Sequence, residues 1–115
     1  SSKQIWKLVN GLGMEYYHFL QPSQHVENSK RILSAAETAL LTQQTDYSLY
    51  QPAIEQGYPL LIETGSQMSN GNLPFMNLTQ LFKYQQQSTY ADNCCHYTLL
   101  GYERVAEKMA KTIGR

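Results

Sequence analysis

The sequence predicts an α/β fold in which two parallel strands, near residues 15–20 and 75–78, are flanked by helices. Three observations carry this. First, residues 3–12 place apolar side chains at helical spacing and pass through Gly11 and Gly13 into an aromatic run, and helix, glycine, strand is half of a β-α-β unit. Second, Phe75-Met-Asn-Leu78 is a short apolar run emerging from a Ser/Asn/Gly/Pro-rich stretch, which reads as a second strand. Third, helix signals fill the space between the strands and follow the second one.

Ile5, Trp6, Leu8, Val9 and Leu12 make one face of the opening helix. Met14-Glu-Tyr-Tyr-His-Phe-Leu20 is rich in aromatics, is bounded by Gly13 and Pro22, and so predicts a strand. After a polar, irregular stretch at 23–31, Ser34-Ala-Ala-Glu37 is a capping box. The serine oxygen can accept the N3 amide while the glutamate reaches back, so a helix with Ala36, Leu40 and Leu41 begins there. Pro52 opens a further helical piece, 52–64, with Ile54, Leu61 and Ile62 apolar and Pro59 interrupting it. Residues 66–74 predict a loop. Thr98 caps a last helix whose Tyr102, Val105, Ala106, Met109 and Ile113 form an apolar stripe, expected to pack on the strands.

The composition sets bounds. With 115 residues the chain makes one domain, 1–115, without internal repeats or a linker. Nine Lys plus Arg balance nine Asp plus Glu, and the basic residues are scattered. A phosphate backbone calls for a clustered positive footprint, so nucleic acid is not an expected partner. No apolar run approaches the roughly 18–20 residues of a membrane span, and no charged-then-apolar leader opens the chain. The expectation is a soluble protein, cytoplasmic or secreted. Aspartate is confined to Asp46 and Asp92, so chemistry that needs one has two choices. A two-stranded sheet is a poor structure on its own, and the element order looks like part of something larger.

The most informative stretch is Tyr90-Ala-Asp92-Asn-Cys-Cys-His96-Tyr-Thr98-Leu-Leu-Gly101, where an aspartate and a histidine share a loop just before an amphipathic helix. A hydrolase needs a histidine to shuttle a proton and a carboxylate to fix its tautomer and stabilise the imidazolium. The segment resembles the C-terminal block of the SGNH (GDSL-type) hydrolases, in which an Asp-His pair precedes a helix starting on a Thr/Asn-x-x-Gly turn. Two earlier stretches are similar to the same family in the same order. They are Phe19-Leu-Gln-Pro22 with the helix start at Ser34, and Phe75-Met-Asn-Leu-Thr79, where Asn77 stands at a position often acidic in the family. The resemblance spans about residues 5–113 and implies part of a three-layer, flavodoxin-like sheet, with His96 as general base and acid and Asp92 as its orienting partner.

The chain departs from the family in two respects. The family mostly spaces its pair Asp-x-x-His, whereas three residues separate Asp92 from His96. Its nucleophile sits in an N-terminal Gly-Asp-Ser block, and its oxyanion donors include a Gly-x-Asn-Asp asparagine; neither block occurs here. Ser66, Ser69 and Ser88 lack the strand-turn-helix elbow that activates a serine.

Two functions follow. One is the C-terminal part of an ester hydrolase, acting on an ester substrate that the residues do not select and completed by an N-terminal part. The other is a non-catalytic relative that self-associates, most simply as a homodimer. No cofactor and no metal are expected: Cys94, Cys95 and His96 are sequence neighbours, which rarely coordinate one ion well, and His18 and His25 are remote in sequence. One cysteine is expected to be buried and the other part-exposed or bridged to an absent segment. His18 is expected to be a packed strand residue, and His25 an exposed one.

Overall fold

A computed structural model describes residues 1–43 and 50–114; Asp46 and Tyr47 lie outside the described residues. The element order is α1 (Ser2–Gly11), β1 (His18–Leu20), α2 (Ala35–Leu41), α3 (Tyr50–Asn70), β2 (Phe75–Asn77) and α4 (Leu99–Ile113). β1 and β2 pair in parallel with His18 opposite Phe75, Phe19 opposite Met76 and Leu20 opposite Asn77. The mixed helix-and-strand class and the parallel pairing agree with the sequence reading, although β1 is three residues long rather than six. Among the described residues no helix is long and apolar enough to cross a membrane.

Capping explains three helix starts. Ser1 and Gln4 form a capping box on α1, Ser34 and Glu37 form one on α2, and the Thr98 hydroxyl accepts the Gly101 amide at 3.2 Å on α4. The expected loop at 66–74 is corrected, because α3 continues through Ser66 to Asn70. It closes where Asn72 adopts a left-handed φ of 70° and the Leu73 amide donates to the Met68 carbonyl at 3.0 Å. Packing outweighs the weak preferences of serine and asparagine here: α3 lies on β2, and a Cβ at Gly65 would run into the Phe75 ring. Only glycine lets the helix approach that closely.

The buried aromatic cluster gathers residues of the 81–97 segment against α4. Phe82 is fully buried and meets Tyr90 and Tyr97 edge-on at 5.5 and 5.6 Å between ring centres, with Leu81 and Val105 packed alongside. This cluster, rather than the two strands, receives the N-terminal half of α4, which corrects the expected packing of that helix. Gly101 makes the contact possible, since a Cβ there would sit 2.5 Å from the Thr89 carbonyl oxygen. Elsewhere apolar side chains remain uncovered: in α1 Ile5 and Leu8, and beyond it Leu12 and Met14, are all exposed.

Candidate functional site

The loop carrying Asp92 and His96 is closed at its base by an antiparallel bridge between Tyr90 and Tyr97. The Ala91 amide donates to the His96 carbonyl and the Thr98 amide to the Thr89 carbonyl, each at 2.9 Å. Inside the loop, Asp92 Oδ1 accepts the backbone amides of Cys94, Cys95 and His96 at 2.9, 2.9 and 3.2 Å. That coil takes up the extra residue between the pair, so Asp92 Oδ2 still meets His96 Nδ1 in a short hydrogen bond. With a carboxylate as its acceptor, Nδ1 carries the proton, and Nε2 is the nitrogen left to accept one from a reacting group.

The electrostatics follow from those contacts. Burial pushes the Asp92 carboxyl up, but the His96 ring and the three amides outweigh it and bring the group from 3.8 down to about 2. Asp92 is therefore an anion at any physiological pH. Burial raises the Tyr97 hydroxyl and carries that of Tyr90 to about 12, so neither tyrosine exchanges protons near neutrality.

A supporting network lies behind the loop. His25 is buried, 8% exposed, with its Nε2 at 3.1 Å from the Asn93 carbonyl, which corrects the expectation of an exposed residue. Gln24 donates to the Asp92 carbonyl and to Asn93 Oδ1 at 3.2 and 3.1 Å. Deeper still, Lys30 and Glu37 form an ion pair at 2.6 Å with both side chains fully buried. Glu37 Oε1 also accepts the Ser34 amide, while Oε2 accepts the Thr89 and Tyr90 amides at 3.1 Å and the Thr89 hydroxyl at 3.3 Å. Burial raises the Glu37 carboxyl, but Lys30 and these amides prevail and hold it below its ordinary value of 4.5. The capping box made Glu37 legible as a helix cap. Its second oxygen, which fixes the segment leading into the Asp92 loop, gives no sequence signal, because residues 37 and 89 are joined only by the fold.

The remaining candidates are dispersed. Cys94 is buried and Cys95 exposed, as expected, but they are bridged to each other. His18 packs on the Phe75 ring at 5.2 Å, and its Nδ1 also meets the Ser2 hydroxyl at 2.7 Å, with no carboxylate bonded to that ring among the described residues. Ser66 and Ser69 lie exposed on α3, and the Ser88 hydroxyl is paired with that of Ser34 at 2.6 Å. Among the described residues no serine hydroxyl is hydrogen-bonded to His96. Among the described residues, two of the clefts are large enough to consider. One, of about 490 Å³, lies beside Trp6, His18, Leu61 and Phe75; the other, of about 750 Å³, beside His25, Tyr58, Asn77 and Thr79. Neither is lined by Asp92 or His96.

No protein-family model, no curated protein and no solved structure matches this chain.

Proposed function

We propose that the chain is the C-terminal part of an SGNH-type serine ester hydrolase and supplies the Asp92–His96 pair of its triad. The observation that carries this reading is the carboxylate on Nδ1, with Asp92 itself fixed by three amides and the His96 side chain exposed. In that arrangement His96 takes a proton from a serine hydroxyl through Nε2, and Asp92 stabilises the imidazolium that forms. The nucleophile and the oxyanion donors come from an N-terminal Gly-Asp-Ser part, and the substrate is an acyl ester. The apolar side chains of α1 left in solvent are consistent with a surface that such a part covers. The test is to express the coding sequence that precedes residue 1 together with this chain and to assay a chromogenic short-chain ester. Turnover should appear and be abolished by His96→Ala. Turnover unaffected by His96→Ala, or no Gly-Asp-Ser block in the preceding sequence, refutes the assignment.

The same uncovered residues favour a second reading, a non-catalytic module that self-associates through α1 or the free edge of β1. Sedimentation across a concentration range tests this second reading. A homodimer that Leu8→Glu dissociates supports the module; a monomer at high micromolar concentration removes it.

A further inference from the structure

The Asp92 loop holds more chemistry than an Asp–His pair uses. Ligand atoms of Asp92, Cys95 and His96 all lie within 4.8 Å of one another, which is the one such grouping of three among the described residues. Cys95 is held in the bridge to Cys94, so its sulfur has no thiolate to offer in this state. We propose that reduction of the Cys94–Cys95 bridge converts this loop into a binding site for a thiophilic divalent cation such as Zn²⁺, with Asp92, Cys95 and His96 as ligands, and that reoxidation expels the ion.

The geometry needs little adjustment. Tetrahedral zinc takes oxygen and nitrogen at about 2.0–2.2 Å and thiolate at about 2.3 Å, which places ligand atoms about 3.3–3.8 Å from one another. The present spread of up to 4.8 Å exceeds that by about 1.0–1.5 Å, within reach of a rotation about the Cys95 side chain once the bridge is open, while Asp92 Oδ2 and His96 Nδ1 must part to admit the ion. The ion enters between Asp92 Oδ2 and His96 Nδ1, the imidazole proton moves to Nε2, and water completes the fourth position. Asp92 Oδ1 stays on its three amides, so the carboxylate remains oriented as a supporting shell would orient it. Cys95 and His96 are exposed, so the ion has a path in, whereas Cys94 is buried and points into the protein. The backbone is already ordered by the Tyr90–Tyr97 bridge and by Gln24 and His25 beneath it, so little ordering entropy opposes binding.

The chemistry balances. A dithiol reductant gives two electrons and two protons to the disulfide, yielding Cys94 and Cys95 thiols and the reductant's own disulfide. Binding then releases the Cys95 thiol proton as the sulfur–metal bond forms. The same imidazole cannot hold an ion on Nδ1 and keep its hydrogen bond to Asp92, so the loaded site excludes the proton-shuttling pair proposed above. The metal site does not depend on that proposal and is tested without any activity.

The probe is Co²⁺, whose thiolate complexes absorb by sulfur-to-cobalt charge transfer. The full chain is reduced with a phosphine, desalted anaerobically and titrated. One equivalent should bind with the charge-transfer band when reduced, none with that band when oxidised, and added Zn²⁺ should bleach it. Cys94→Ser should bind without any reductant, because it leaves a free Cys95 thiol that cannot form the vicinal bridge. Cys95→Ser should lose the band, and His96→Ala should weaken binding by more than about 10–100-fold, the loss that removing a supporting partner alone brings. Circular dichroism confirms that each variant is folded. A reduced, folded chain without the band, equal affinity in both redox states, or full affinity in His96→Ala overturns the proposal.

Discussion

Replacing Lys30 with methionine keeps most of the side chain's volume and removes the charge that faces Glu37. Both side chains of that pair are fully buried, so the loss is that of breaking a buried pair, about 3–5 kcal/mol, rather than the 0–1 kcal/mol of an exposed one. At about 4 °C per kcal/mol for a domain of this size, the midpoint of thermal unfolding should fall by roughly 12–20 °C. Glu37→Leu should cost more. The Lys30→Met carboxylate keeps four donors, from the Ser34, Thr89 and Tyr90 amides and the Thr89 hydroxyl. Removing Glu37 instead orphans all of these, at about 1–3 kcal/mol for each buried donor, while Lys30 retains only the Gln87 carbonyl and the Thr89 hydroxyl. Because the folded Glu37 carboxyl lies below 4.5, its contribution is fully present above that pH and is lost as pH falls toward the lowered folded value. The difference between wild type and Lys30→Met should therefore narrow in acid. Urea unfolding of the two single variants and the double variant, followed by circular dichroism, measures each loss and their coupling. A loss under about 1 kcal/mol for Lys30→Met, a milder effect for Glu37→Leu, or additive single effects would refute this account of the buried pair.

Two smaller tests address the elements on either side. Gly65→Ala drives a methyl group into the Phe75 ring and should cost roughly 1–3 kcal/mol in the same unfolding experiment, with Phe75→Leu in the double variant recovering part of it; an unchanged midpoint would mean that α3 and β2 are not in close contact. The Asp92 side-chain carboxyl carbon, followed by NMR, should titrate near 2 rather than 3.8, so whatever stability the loop gains from it persists above pH 3.8 and fades only as pH falls toward 2; a midpoint at the ordinary value would show that the three amides do not hold it.

Local signals carried a good part of this protein. Ser34 with Glu37 and Thr98 before Leu99 mark their helix starts, because a cap acts within one turn of chain and is complete in four residues. The first strand is visible as an aromatic run between Gly13 and Pro22 and the second as a short apolar run after Pro74, and their parallel pairing follows from the helices that separate them in sequence. Asp92 and His96 were likewise close enough in sequence to be seen as a pair.

What stayed hidden depends on contacts between distant residues. The extension of α3 to Asn70 comes from Gly65 lying on Phe75, a contact that no count of serines and asparagines contains. His25 looked like a loop residue in a polar stretch, and only the approach of Asn93 buries it. The second oxygen of Glu37 finds its amides more than fifty residues away, where chain order says nothing about distance. Even the neighbouring cysteines needed the fold: adjacency offers the bond, but the coil of amides around Asp92 Oδ1 sets the backbone on which it forms, and sets His96 beside it.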